Sequence, residues 1–398
     1  MTILYIDPGS GALLISALAG LGFTLLYFLK GLFYKVSYLF LKKEKVHVKD
    51  LSNEIVFFSE GKNYWKVFQP VVEELVGRKQ KVVYLTADKQ DAGLALSSEY
   101  YSAHYLGDIR QSIYFLNRLK ARLCIMTTPQ LDVIALRRSR NVKHYSHLIH
   151  SPTDIHAYKK FAFDYFDSVL CSSTAQISNL RFLEQERNTK PKQLFETGCT
   201  YYDVFKAGDV VAGESILLAP TWGDRTFFKS CGKQMLRYLL EAGHKVILRP
   251  HPQSWISDKP LMNEILAEFE AHPNLTIDRS VSSEKAISSS NVLICDITSG
   301  MVYDMAFMHR KPVVAVEFDW ADGGYEASDL ARATSARDLL QDIGGIVHAT
   351  NIEAVSETVN LAAKKTVTQE IIDKHIFNFR KSGKIAADQV MSIYNQLA

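Results

Sequence analysis

From residue 54 onward the chain repeats one pattern: a short β-branched or aliphatic run, a turn, then an amphipathic stretch. In the first half the runs that read as strands are Glu54–Ser59, Lys81–Thr86, Arg122–Thr127, Tyr145–His150 and Ser168–Cys171, with helix-like stretches such as Tyr64–Gly77 and Asp108–Lys120 between them. In the second half they are Ser215–Pro220, Lys245–Arg249, Leu275–Ile277, Asn291–Cys295 and Pro312–Glu317, with helices over Gly232–Ala242, Lys259–Ala271 and Met301–Met308. Strands separated by helices pair in parallel through right-handed crossovers. Runs such as Val292-Leu293-Ile294 are apolar at every position and suit strands covered on both faces. The expected class is therefore α/β, with two Rossmann-like parallel-sheet domains facing a cleft. The loops after the strands then gather around that cleft.

The stretch Gly198–Glu214 holds three glycines and loses the periodicity, which places the inter-domain linker there. The expected units are residues 49–205, residues 206–366, and a segment 367–398 that crosses back onto the first half. The last is helical in pattern over Gln369–Leu397. No short-period repeat or low-complexity tract interrupts them.

Residues 1–48 read differently. Gly11–Leu29 carries no charge over 19 residues. As a helix it would be about 28 Å long, close to the ~30 Å hydrocarbon thickness of a bilayer. No Lys or Arg precedes it, so it lacks the basic start of a cleaved signal peptide. Lys30, Lys35, Lys42, Lys43, Lys45 and Lys49 follow, interleaved with Phe33, Tyr34, Tyr38 and Phe40. That pattern predicts an N-terminal membrane helix, a single anchor in the cell membrane, with a headgroup-level flank and the remaining domains in the cytoplasm. A buried soluble helix or a re-entrant hairpin are the alternatives.

Charge balance narrows the functional classes. With 46 Lys+Arg against 43 Asp+Glu among 398 residues, the net charge is +3, which does not advertise nucleic-acid binding. At 47% hydrophobic and 22% charged residues the chain is not a disordered polymer. Its five cysteines form no CxxC pair, which argues against a zinc ribbon or a disulfide framework and fits a reducing compartment. There is no HExxH, GxSxG, GxGxxG or P-loop. No tightly bound protein-ligated metal or other cofactor is expected; Mg2+ carried by a substrate pyrophosphate is compatible with the sequence.

Four loops carry usable chemistry. In His150-Ser151-Pro152-Thr153-Asp154, a His at a strand end is placed to act as general base, and Ser151, Thr153 and Asp154 offer a cap for the next helix. In Pro220-Thr221-Trp222-Gly223, Thr221 and the flexible Gly223 present a hydroxyl and backbone N–H groups to phosphate, and Trp222 either stacks on a base or packs under the loop. In Arg249-Pro250-His251-Pro252, two prolines fix the backbone beside a guanidinium fork and an imidazole. In Asp296-Ile297-Thr298-Ser299-Gly300, small hydroxyl residues open the helix Met301–Met308 as an anion site bracketed by Asp296 and Asp304; ordinary helix capping is the competing role.

Together ILLAPTWGDR, VILRPHP and NVLICDITSGMVYDMAFMHRKPVV resemble the C-terminal domain of CDP-glycerol glycerophosphotransferases, the teichoic-acid primases and polymerases and related capsule enzymes, over roughly residues 145–320. The resemblance implies a GT-B-like fold with the nucleotide donor held mainly by the second domain. It implies Arg249 and His251 at the donor phosphates, Thr298 and Ser299 on phosphate oxygens, Thr221 in the same cleft, and Asp296 and Gly300 in the donor-binding set. The family's His-Gly-Thr-Pro turn, whose His is the proposed base, is represented by His150-Ser151-Pro152-Thr153, with Ser for Gly and the Thr-Pro order reversed.

The expected protein is thus a membrane-anchored transferase. It moves glycerol phosphate, or another alditol phosphate, from a CDP-linked donor to a hydroxyl of a lipid-linked glycan or polymer, releasing CMP. His150 and His251 are its catalytic pair. Its partners are CDP-glycerol or a similar donor, a membrane-linked polyol-phosphate or glycan acceptor and the bilayer, but no nucleic acid. A GT-B glycosyltransferase or epimerase using a UDP- or GDP-sugar, and a non-catalytic scaffold of degenerate transferase fold, are the alternatives.

Overall fold

A computed structural model describes residues 51–205, 213–224, 226–280, 282–319, 323–330 and 335–397. The hydrophobic segment 11–29 and its lysine-rich flank lie outside the described residues. Among the described residues no helix is long and apolar enough to cross a membrane.

The first sheet contains β1 (Ile55–Ser59), β2 (Val82–Thr86), β3 (Tyr101–Tyr105), β4 (Ala121–Met126), β5 (Val142–Leu148), β6 (Ser168–Cys171) and β7 (Gln193–Glu196), in the order β3-β2-β1-β4-β5-β6-β7. The second contains β8 (Ser215–Leu218), β9 (Val246–Leu248), β10 (Leu275–Ile277), β11 (Ser290–Asp296), β12 (Val313–Glu317) and β13 (Gly345–His348), in the order β10-β9-β8-β11-β12-β13. Strand pairing is parallel in both. The order reverses beside β1 and beside β8, the switch points where ligands bind in such sheets.

Central strands feed two layers at once. Ile55 and Phe57 of β1 pack in the layer of helix α1 (Trp65–Gly77), while Val56 and Phe58 pack in the opposite layer with Cys124 and Met126 of β4. In β11, Leu293 and Cys295 face one layer and Val292 and Ile294 the other. Fully burying one such side chain contributes roughly 1.5–3 kcal/mol. This two-sided burial is why these runs are apolar at every position.

The covering helices include α2 (Ile109–Leu116), α3 (Thr174–Glu186), α4 (Lys233–Glu241), α5 (Lys259–Phe269), α6 (Met301–His309), α7 (Ser335–Ile343), α8 (Val355–Ala362), α9 (Gln369–His375) and α10 (Ser382–Gln396). The continuous C-terminal helix expected over Gln369–Leu397 is broken. Ile376 is extended, and Asn378 and Arg380 adopt left-handed backbone at φ 47° and 61°, which ends α9 and redirects the chain. The Asn378 amide fixes the break by donating to the carbonyls of Glu196 and Thr197. α10 then lies on α1 in the first domain, where Ala386, Ala387, Val390 and Ile393 join the core of β1. A Cβ on Gly383 would come within 2.4 Å of Pro70 Cβ, so the two helices cross closely at that point.

The domains are also joined by side-chain contacts. The guanidinium of Arg187, at the end of α3, donates to Asp164 in its own domain and to Glu326 and Asp329 of the second. Lys160 reaches Asp329 at 2.6 Å, and Lys159 lies over the Tyr325 ring. Leu330 completes this strap by entering the first domain's core.

Candidate active site

The four loops singled out above all follow strand C-termini. β5 ends at Leu148 rather than at His150, so His150 sits in the loop itself. The loops after β8, β9 and β11 surround a cavity of about 330 Å³ lined by Thr221, Arg249, His251, Ser299 and Asp304, with Tyr201, Phe205 and Met305 among its walls.

Asp296 stands at the end of β11, fully buried. Its carboxylate accepts the N–H groups of Thr221 at 2.6 Å and Phe227 at 2.8 Å. Burial raises its pKa, and these bonds oppose the rise. Asp296 is absent from the cavity wall; it pins both ends of the loop that presents Thr221.

Arg249 is committed to Asp278 and also bonds Ser280 Oγ at 3.2 Å. The guanidinium is set in place, and part of its charge is already met. His251 is exposed, and its ring stacks on Trp222 at 5.8 Å and 26°. Its Nδ1 accepts the Gln253 N–H at 3.1 Å. The neutral ring therefore carries its proton on Nε2 and presents a donor there. Partial burial lowers its pKa.

At the start of α6, the Ser299 N–H bonds the Asp296 carbonyl at 2.9 Å, and Ser299 Oγ accepts the Met301 N–H at 3.3 Å. Thr298 and Gly300 flank Ser299 and do not line the cavity. Gly300 instead meets the other domain: a Cβ there would sit 3.8 Å from Thr153 Cγ2.

Asp304, one turn into α6, is a cavity group that periodicity alone left as a mere bracket. It is buried, accepts the Tyr202 hydroxyl at 3.0 Å, and is pushed up to about 6 by desolvation. Tyr202 comes from the inter-domain segment, where its glycines and broken periodicity had signalled only a linker.

His150 is outside the cavity wall. It packs edge-on against Tyr64 and Tyr158, at 5.4 and 5.9 Å between centroids. Its Nδ1 is buried without a hydrogen-bond partner among the described residues, and desolvation lowers its pKa. Glu60, just past β1, is held above the usual carboxylate range by burial, and Tyr64 is raised by its own burial and then by Glu60. Sequence reading missed both groups, whose only signal was their place after a central strand.

Asp154 does not cap the helix that follows it. Its side chain accepts the N–H and the hydroxyl of Ser335, at 2.9 and 2.6 Å, at the start of α7 in the second domain. The structure thus brings Thr221, Arg249, His251 and Ser299 together around one cavity, and attaches the His150 loop to the same domain through Thr153 and Asp154.

Comparison with known proteins completes the picture. The family model for CDP-glycerol:poly(glycerophosphate) glycerophosphotransferase matches residues 41–330. No curated protein sequence matches the chain. Among solved structures, the wall teichoic acid polymerase TagF in a CDPG-soaked form is 13% identical at a TM-score of 0.50, covering 94% of this chain and 98% of that one. UDP-GlcNAc 2-epimerase from Methanocaldococcus jannaschii, with UDP-GlcNAc and UDP, is 12% identical at 0.54, covering 86% and 99%. The glycosyltransferase AviGT4 of avilamycin A biosynthesis is 10% identical at 0.50, covering 86% and 98%. At these identities the structural likeness is one of fold: two Rossmann-like domains in a GT-B-like arrangement.

Proposed function

The chain belongs to the CDP-glycerol:poly(glycerophosphate) glycerophosphotransferase family and is a CDP-glycerol glycerophosphotransferase-like enzyme, and from that premise we propose that it transfers glycerol phosphate, or a related alditol phosphate, to a hydroxyl of a lipid-linked glycan or polymer. The observation that carries the reading is the cavity at the C-terminal ends of β8, β9 and β11, where Thr221, Arg249, His251 and Ser299 converge.

In this reading the donor diphosphate lies between Arg249, the His251 Nε2–H and the start of α6. The acceptor hydroxyl attacks the β-phosphorus. A new O–P bond forms as the bridging P–O bond breaks, CMP leaves with the electron pair, and His150 takes the hydroxyl proton. Catalysis is then mainly positioning and charge stabilisation. His150 suits the base role because its buried ring is neutral at pH 7. Asp296 serves by holding the Thr221 loop. A divalent cation, where present, would travel with the donor. The apolar segment 11–29 would anchor the enzyme to the cytoplasmic face of the membrane, where a lipid-linked acceptor is reached.

The test is incubation of detergent-extracted full-length protein with CDP-glycerol, CDP-ribitol, UDP-sugars or GDP-sugars and native membranes. CMP release with label entering lipid-linked material is expected from a CDP-alditol. UDP or GDP release, with no CMP, overturns the donor assignment.

A further inference from the structure

We propose that Asp154 is a positioning residue for the transfer, one that holds the His150 loop in register with the donor cavity by docking on the first turn of α7 in the opposite domain. The inference rests on the function proposed above.

The first N–H groups of a helix have no partner within it and are normally met by the residue just before it. Here an acceptor of the Ser335 N–H lies 181 positions away. Asp154 is only 7% exposed and takes both the N–H and the hydroxyl of Ser335. Breaking this contact would strand a buried carboxylate, so the docked arrangement is strongly preferred over a half-docked one.

The contact continues in both directions. Ser335 Oγ also bonds the Tyr303 hydroxyl at 2.8 Å. Tyr303 lies on α6, beside Asp304 and just past Ser299, both of which line the donor cavity. On the other side, the loop carbonyls of Ser151 and Thr153 both accept from the Gln176 amide, at 3.2 and 2.9 Å. Gln176 is itself held by the Ser172 N–H at 2.7 Å. Pro152 stiffens the same stretch. A loop so short and so tied transmits a displacement of Asp154 to His150. The chain His150 loop, Asp154, Ser335, Tyr303, α6 therefore links the proposed base to the donor helix through a contact between the two domains.

The experiment combines hydrogen exchange with steady-state kinetics on the purified full-length chain. In Asp154→Ala, exchange should rise in peptides covering both 149–158 and 335–343. With CDP-glycerol, kcat should fall about 100-fold, the scale of an ångström-level misplacement, while the donor KM stays within about threefold. Asp154→Asn keeps an acceptor oxygen and should restore most protection and turnover. Ser335→Ala keeps the backbone donor and should fall between. Loosening confined to 335–343, or full turnover by Asp154→Ala, overturns the proposal, since Asp154 would then be a cap and nothing more. If the wild type turns over no CDP-glycerol, the donor assignment fails instead, and the exchange data still decide: coupled loosening supports the link, uncoupled loosening ends it.

Discussion

The two imidazoles proposed for the transfer sit in opposite surroundings. His150 is packed between tyrosine rings with Nδ1 unmet among the described residues, and its burial disfavours the protonated ring. His251 is exposed, stacked on Trp222, and oriented by the Gln253 N–H so that its Nε2 can only donate. In the proposed reaction the first ring would take a proton and the second would offer one. The contrast shows how burial and a single backbone bond give the same side chain different proton affinities and donor patterns.

The sharpest way to break this contrast is His150→Ala. Loss of a general base costs about 10²- to 10⁴-fold in rate, so kcat for CMP release should fall by that range while donor affinity holds. Near-full turnover would remove His150 from the chemistry. Next is His251→Ala, which should lower kcat about 10²- to 10³-fold, as removing one oriented donor does. Here His251→Gln, which retains an N–H, should recover part of the loss, whereas Gln at 150 should not.

A third imidazole tests burial by itself. His147 is wholly enclosed by Tyr158, Phe163 and Phe166, and its pKa is driven down to about 3. The unfolded ring protonates near 6.5, so between those values the unfolded state binds the extra proton and stability falls as pH falls. Between pH 6.5 and pH 5 this amounts to about 2 kcal/mol. His147→Phe should flatten that part of a stability-versus-pH curve measured by urea melts; an unchanged slope would mean the acid lability lies elsewhere.

The smallest effect concerns Asp304. Protonation near 6 removes a negative charge beside the proposed diphosphate site, so the CDP-glycerol Kd should tighten several-fold as pH drops from 7.5 to 5.5. Asp304→Asn should bind as tightly at pH 7.5 as the wild type does at 5.5. Titration calorimetry showing the same pH dependence in both proteins would assign it to His251 instead.

What the sequence disclosed follows from what each residue experiences. Central strands such as β1 and β11 were legible because burial on both faces demands apolar residues throughout. β3, β7 and β13 were not. They are edge strands, with YSAHY, QLFE and GIVH half-exposed, and carry no continuous apolar signal. At the site, Thr221, Arg249, His251 and Ser299 were visible because turn residues bracket them after strands. The anchoring role of Asp296 and the reach of Asp154 into α7 were hidden, since their partners lie 69 to 181 positions away. No local spacing encodes such a pair.

The helix 382–396 has one more consequence, for biogenesis. Its residues Ala386, Ala387, Val390 and Ile393 fill the core against β1, and Tyr394 bonds the Asn53 carbonyl 341 positions earlier. A ribosome releases β1 long before it makes this helix, so the apolar face it covers on the leading lobe stays open until residues 382–396 have emerged. Nascent chains stalled ahead of residue 382 should therefore be the ones that chaperones hold.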